Sequence, residues 1–299
     1  MFDKKGLIEI SENVIFDEPM SAHTSFKIGG NADAFASITD VDEIRALIKY
    51  CKNKDIPYMI MGNGTNMLVS DKGIRGLVIQ VGNGMQDYKI DGETVYAQAG
   101  ILMSALSKKI LKAELTGFEP LSGIPGTLGG GIYMNAGAYG GEIKDIVDEV
   151  TYVNSNGEVK TVKNKDIGFS YRHSMFEDEK CVILSAFLKL KKGDAAVIKS
   201  AMDDYNKRRS DKQPLNMPSA GSTFKRPEGY FAGKLIEDSG LVGYSIGGAQ
   251  VSEKHAGFVV NRGGATAQDV LDLVEHIQKT VNEKFGVKLE PEIRLIGEK

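Results

Sequence analysis

The stretch Ser122–Gly141, SGIPGTLGGGIYMNAGAYGG, decides how this chain is read, because it places eight of the 35 glycines within 20 residues. Glycine has no Cβ, so a run this dense lets backbone N–H groups come close to a ligand and lets the chain turn sharply. Successive amides in such turns form concavities that bind anions and suit a pyrophosphate. A set of tight turns between strands accounts for the same composition. Taken alone, the run leaves both readings open.

A second glycine-rich segment, Met61-Gly62-Asn63-Gly64-Thr65-Asn66, directly follows Tyr58–Met61, which reads as a strand. Two familiar nucleotide motifs can be tested here. Gly62 and Gly64 begin a G-x-G-x-x-G pattern, but position 67 is Met and no capped helix follows. The Rossmann fingerprint is therefore absent. No G-x-x-x-x-G-K-[ST] occurs, which removes the P-loop ATPases and GTPases. What remains is a dinucleotide held by two glycine-rich loops from different strands, and that points to a non-Rossmann flavin site.

Outward from these loops, Ala32–Ile38 reads as a strand and Val41–Lys54 as a helix, with Val41, Ile44, Leu47, Ile48 and Cys51 at helical spacing. Asp40 and Glu43 stand where a cap and its reciprocal partner belong. With Tyr58–Met61 these make a β-α-β unit, so the two strands are expected to be parallel. From Gly73 to Leu190 the chain is strand-rich, with Asp91-Gly92 and Asn156-Gly157 as hairpin turns, Ser104–Lys112 as a helix and Cys181–Leu190 as a buried strand. Asp194 can cap a helix carrying Val197, Ile198, Ala201, Met202 and Tyr205 on one face, and Ser210–Pro227, with three of the eight prolines, reads as loop. Thr266 and Asp269 form a capping box for a helix with Val270, Leu273, Val274, Ile277, Val281 and Phe285 on its stripe. Lys288–Ile296 closes the chain as a strand interrupted by Pro291, hence an edge strand.

A length of 299 residues implies two or three domains. The fold class expected is α+β, with several small sheets and no internal repeat. The formal charge of −3 lacks the basic excess that coating a nucleic acid or a membrane surface needs. Cys51 and Cys181, the two cysteines, have no Cys or His at metal-ligand spacing, so the expectation is two reduced, buried thiols and no metal. The N-terminus lacks an apolar core of signal-peptide length, and no stretch of about 18 apolar residues occurs. A soluble cytoplasmic protein is expected, without nucleic-acid partners or membrane insertion. The sequence leaves the oligomeric state open, with a monomer favoured.

The pair GNGTNMLVSDKGIRG (62–76) and SGIPGTLGGGIYMNAGAYGGEI (122–143) resembles the FAD-binding half of the MurB family, the UDP-N-acetylenolpyruvoylglucosamine reductases. More loosely, it resembles the FAD domain of the vanillyl-alcohol-oxidase type. TSFKIGG (24–30), YRHSMF (171–176), AGSTFKRP (220–227) and LEPEIRLIG (289–297) sharpen the resemblance to MurB and run in the family's order. The chain is short between Tyr230 and Gly248, with no counterpart of the longer substrate loop of some members, so it looks like the shorter, second type.

The resemblance implies two α+β FAD-binding subdomains, residues 1–78 completed by 288–299 and residues 79–192, followed by a substrate domain, residues 193–287. It implies non-covalent FAD held by Gly62, Asn63, Gly64, Thr65 and Asn66 and by Gly123, Ile124, Pro125, Gly126, Thr127, Gly130, Asn135, Ala136, Gly137, Ala138 and Tyr139. NADPH would be the electron donor and an enolpyruvyl UDP-sugar the substrate. Ser222 matches the family's proton donor, a role open to a weak acid facing the strongly basic carbanion left by hydride addition. Arg172 and Glu292 match the pair that stabilises the enolate-like carboxylate; an Arg fork suits a carboxylate, and the Glu must be protonated or paired with Arg172. Lys212, Arg226 and Lys234 are candidates for the diphosphate, His255 for a polar contact and Tyr230 for packing on uracil or sugar.

Blander readings stand beside these. Ser222 can be a turn serine bonded to its own backbone, and Glu292 an exposed edge-strand residue in a ladder with Glu290 and Arg294. Two other function classes compete: another FAD oxidoreductase sharing the flavin domain, such as an alcohol or hydroxy-acid oxidase, and a non-enzymatic nucleotide-binding module. No oxidase motif for a second domain is present, and all three candidate catalytic residues are, which favours the reductase.

Overall fold

The structure is a computed structural model that describes residues 4–82 and 84–298. Met1–Asp3, Asn83 and Lys299, which the expected domain bounds include, lie outside the described residues. Two compact units emerge, the first from Met1–Phe16, Ala34–Asn63 and Gly76–Arg209, the second from Asp17–Asp33, Gly64–Arg75 and Ser210–Lys299. Each mixes helices with small sheets, the α+β class expected.

The first unit is organised by a five-stranded antiparallel sheet in the order Val159–Lys163, Val147–Val153, Val182–Lys189, Thr94–Gln98, Tyr88–Asp91. Val182–Lys189 sits at its centre because Val182, Leu184, Ala186 and Leu188 are all apolar and buried. Both expected hairpins form. Asp91 pairs with Thr94 across a turn containing Gly92 at φ +58, and Val153 pairs with Val159 across a longer loop. Asn154 organises that loop, its Oδ1 accepting from Asn156 N and Glu158 N. The helix Val41–Asn53 buries Ile44, Leu47, Ile48 and Cys51, and its cap Asp40 accepts from Glu43 N. Tyr58–Met61 does run parallel to a neighbour, but that neighbour is Ile74–Val81, which stands between it and Asn31–Ile38.

The second unit holds the antiparallel sheet Ser245–Ile246, Ala249–Val251, Val259–Asn261 and the helices Ala232–Asp238 and Ala267–Phe285. Its core gathers Phe26, Ile28, Leu68, Phe224, Ile236, Val259, Leu273 and Ile277 from segments far apart in sequence. Both halves of the Thr266–Asp269 capping box form, and Asp71 adds its carboxylate to the same helix start, accepting from Ala267 N and Gln268 N.

Three expectations need correction. The helix capped by Asp194 spans Ala195–Lys212, so it enters the region read as loop; it buries Ile198 and Met202 but leaves Val197 68% exposed, because only the narrow stripe through Ile198 and Met202, four residues apart, is buried. Phe285 is exposed since its helix ends one residue later at the left-handed Gly286, beyond the core. The final strand shrinks to Arg294–Ile296, parallel to Met67–Val69, because Pro291 has no N–H and its segment makes only an isolated bridge with Phe224.

Cys51 and Cys181 are free and buried, and burial pushes their thiols up to about 11 and about 12. Neither should react with a disulfide reagent at neutral pH until denaturant is added; a stoichiometric thiol reaction in the native protein would contradict this environment. Asp269 is held below the usual aspartate range by backbone bonds from Thr266 and Gly248. Its stabilisation is whole above the ordinary aspartate range, about pH 4, and is lost as pH falls through the depressed native value. The stability difference between wild type and Asp269→Asn, read from urea unfolding, should therefore shrink on acidification.

Candidate active site

In the first unit the two glycine-rich segments touch. The strand Tyr58–Met61 delivers Gly62, whose carbonyl accepts from Gln80 Nε2 at 3.2 Å. A Cβ on Gly62 would stand 2.7 Å from Thr127 Oγ1, so only hydrogen fits. The second segment is stitched to residues 99–103: Met103 N donates to Gly126 O, Leu128 N to Ile101 O and Gly129 N to Ala99 O, all at 2.8–3.0 Å. Gly126 takes φ +111, a conformation open to glycine alone.

The run is not all loop. Leu128–Tyr133, LGGGIY, is a short helix whose cap Thr127 accepts from Gly130 N. Glycine is a poor helix former, by about 1 kcal/mol each against Ala, so each needs a reason. For Gly129 the reason is packing: a Cβ would lie 2.8 Å from Ala99 Cβ. For Gly130 it is not, since a Cβ would meet only Thr127 Oγ1 at 3.5 Å. The bare face at Gly130, beside the Gly62–Thr127 contact, is a backbone cradle that a side chain would fill. It fits a dinucleotide cofactor, whose pyrophosphate needs close main-chain approach.

The rest of the run builds a brace for Arg172. Gly137–Ala138 and Gly141–Glu142 form a hairpin whose two turn residues, Tyr139 and Gly140, have φ +53 and +86. Asn135, buried at φ +44, spends its side chain on the protein: Nδ2 donates to Ser170 O at 2.9 Å and to Glu142 Oε2, and Oδ1 accepts from Lys144 N. Ser170 and His173 bond each other backbone to backbone, closing a tight turn with Arg172 at φ +58. The Arg172 guanidinium lies 4.8 Å from the Tyr171 ring centroid and donates to Gly137 O at 3.2 Å. The structure thus ties a candidate catalytic residue to a candidate flavin loop. It also adds residues that the sequence reading passed over. Tyr205 stacks on Tyr139 with centroids 4.8 Å apart, while Asn206 and Arg209 pack against Gly123. Tyr205, Asn206 and Arg209 share one face of the helix at i, i+1 and i+4; the sequence pattern marks Tyr205 as apolar packing and singles out neither Asn206 nor Arg209.

In the second unit, Ser222 and Glu292 are drawn together by backbone. Glu292 N donates to Thr223 O at 2.8 Å and Lys225 N to Glu290 O at 2.8 Å. Asn66 joins them: its Nδ2 donates to Glu292 O at 3.2 Å and its carbonyl accepts from Arg294 N. Ser25, from TSFKIGG, clamps two loops at once, its N–H donating to Gly64 O and its Oγ to Ser219 O at 2.7 Å. Ser222 itself is exposed and Glu292 half-buried. The substrate candidates are less uniform. Lys234 is paired within its own helix to Asp238 at 2.7 Å. Arg226 stacks 4.0 Å from the Phe231 ring centroid and donates to Tyr230 O, leaving Tyr230 47% exposed. Lys212 ends its helix, and its charge acts on His255.

Residues 32–163 match the FAD binding domain family, and residues 213–296 match the family described as UDP-N-acetylenolpyruvoylglucosamine reductase, C-terminal domain. The fold and the glycine cradle therefore define a flavin-dependent oxidoreductase on a non-Rossmann FAD-binding domain. Over its whole length the chain is 52% identical to the UDP-N-acetylenolpyruvoylglucosamine reductase of Caldanaerobacter subterraneus, covering 99% of that protein. It is 50% identical to the one from Clostridioides difficile, over 96% of this chain and 94% of that one. The crystal structure of UDP-N-acetylenolpyruvylglucosamine reductase (MurB) from Thermus caldophilus superposes with a TM-score of 0.81 at 32% identity, covering 94% of this chain and 97% of that one. The chain belongs to the UDP-N-acetylenolpyruvoylglucosamine reductase family. A Physcomitrella patens BBE-like 1 variant, 19% identical with a TM-score of 0.51 over 64% of this chain and 45% of that one, shares the fold alone.

Two neighbouring glycines separate packing from ligand approach. Gly129→Ala should cost about 1–3 kcal/mol in flavin-free protein by overpacking against Ala99. Gly130→Ala should hold or slightly raise stability, by up to about 1 kcal/mol from helix propensity. Urea unfolding of both variants checks the ranking, and equal losses would contradict it.

Proposed function

We propose that this chain reduces the enolpyruvyl ether of UDP-N-acetylglucosamine to the lactyl ether, UDP-N-acetylmuramate, with NADPH as electron donor. Bound FAD would supply the hydride chemistry, and the protein supplies position, charge and a proton. The flavin is held by the backbone of residues 62–66 and 123–139, with Gly130 at the open face. Residues 1–78 with 288–299 and residues 79–192 serve the flavin, and residues 193–287 serve the UDP-sugar. The enzyme acts in the cytoplasm.

Ser222 delivers the proton from its Oγ to the carbon beside the substrate carboxylate, and solvent replaces that proton. Arg172 binds the developing enolate-like carboxylate through its fork, where preorganised charge favours the transition state most. Glu292 beside a carboxylate has to carry a proton or be matched by a cation. The diphosphate is met by Lys212 and Arg226, with Tyr230 against the uracil or sugar and Lys234 and His255 at the margin.

The observation that carries this reading is the backbone ladder of the second unit. Ser222 and Glu292 are 70 positions apart, yet Glu292 N donates to the carbonyl of Thr223, the residue after Ser222. The join sets the serine and the glutamate on adjoining segments, as a shared site needs.

The purified protein should be yellow, and denaturation should release the flavin. In Ser222→Ala, reduction of the flavin by NADPH should proceed as in wild type, while its reoxidation by the enolpyruvyl UDP-sugar slows by about a hundredfold or more. Stopped-flow absorbance separates the two steps. Equal slowing of both would remove the proton-donor role, and reoxidation by oxygen faster than by substrate would favour an oxidase.

A further inference from the structure

We infer that His255 is a positioning residue for the proton-delivery segment, its imidazole holding the turn from which the Ser222–Glu292 ladder hangs. This rests on the roles proposed above for Ser222 and Glu292.

The connection is continuous and lies wholly within the second unit. Gly257 N donates to His255 Nδ1 at 3.0 Å. The carbonyl of the same Gly257 accepts from Thr223 N at 2.9 Å, and Thr223 O accepts from Glu292 N at 2.8 Å. Thr223 Oγ1 accepts from Val259 N at 2.9 Å, which doubles the attachment of the serine segment to this turn. The turn is closed by Phe258 N donating to His255 O, and Ser252 Oγ accepts from His255 N.

The ring is wedged as well as bonded. A Cβ on Gly233 would stand 3.1 Å from His255 Cε1, and one on Gly257 would stand 3.0 Å from the same atom. Phe258 meets the ring edge to face, with centroids 5.1 Å apart. Two glycines and an aromatic ring therefore define a slot that fixes the imidazole plane, and with it the direction in which Nδ1 accepts.

Accepting from an amide requires Nδ1 to be bare, so the ring is neutral with its proton on Nε2. Burial pushes the imidazole below its usual range; the backbone of His255 itself opposes this, and the Lys212 charge at the end of the preceding long helix adds to the lowering. Charges on the elements around the ring are engaged elsewhere: Lys234 pairs with Asp238 and also meets Glu237, Lys254 Nζ donates to Ser210 O, and Glu253 lies against Gly243. Protonation would set two N–H groups against each other and break the bond. Because the native state resists the proton more than the unfolded state does, the bond is whole above the ordinary histidine range and is lost as pH falls through the native value.

The test compares His255→Phe, which fills the slot without an acceptor, with His255→Asn, whose Oδ1 can accept near the Nδ1 position and does not titrate. Reoxidation of reduced flavin by the enolpyruvyl UDP-sugar should slow about tenfold or more in His255→Phe and recover to within about threefold in His255→Asn. The ratio of wild-type to His255→Asn rates should fall as the pH drops from about 8 to about 5.5. NMR of the histidine ring nitrogens in wild type, read without turnover, should show a bare Nδ1 at neutral pH. A proton on Nδ1, or a folded His255→Phe reoxidised at the wild-type rate, overturns the inference. Ser222→Ala is run alongside: normal reoxidation there would sink the proton-donor reading, whereas slow Ser222→Ala with normal His255→Phe sinks only the positioning role.

Discussion

The constraint on which both units depend is close approach at glycines, where a neighbouring segment leaves no room for a Cβ. In the first unit the strand-borne Gly62 meets Thr127, and Gly129 meets Ala99 so closely that no Cβ can stand there. In the second, a Cβ on Gly30 would run into Asp71 O, and one on Gly73 into Asn31. Such contacts gain backbone hydrogen bonds at the expense of chain entropy, since glycine loses the most freedom on folding. They therefore appear where position matters more than local stability.

A second device is strain held in place by hydrogen bonds. Asn135, Tyr139 and Arg172 are three of the eight described non-glycine residues with positive φ, and all three fall in the glycine-loop region. Each such residue costs about 1–3 kcal/mol and persists only where its surroundings over-determine it. Here the surroundings are specific. Asn135 is fixed by three side-chain bonds, Tyr139 by its stack on Tyr205, and Arg172 by the Ser170–His173 turn and its bond to Gly137 O. An arginine so placed offers its charge in one direction, as the proposed recognition of a carboxylate requires.

The second unit reaches the same end by a different route. Its serine and glutamate are carried on short extended segments rather than on a long sheet, and the backbone ladder between 223–225 and 290–292 sets their spacing. Asn66 and Ser25 then fasten the loop at 64–66 to those segments through carbonyls. The placement of these two side chains thus rests on main-chain hydrogen bonds more than on side-chain packing.

Much was legible in the sequence, because periodicity and capping are local. The α+β class, the helices Val41–Asn53 and Ala267–Phe285 with their caps, both hairpins and the central strand Val182–Lys189 all follow from patterns within a few residues. The glycine runs and the missing third glycine at Met67 excluded a Rossmann site by themselves. Only the tertiary structure could say that Gly129 serves packing while Gly130 stays open, because that depends on Ala99, in the turn that follows the strand Thr94–Gln98. Only it could show that Asn135 spends its amide on the protein, that Lys234 is paired with Asp238, or that Tyr205 stacks on Tyr139. The glycine run at 122–141 announces close approach, and which partner comes close is decided by segments distant in the chain.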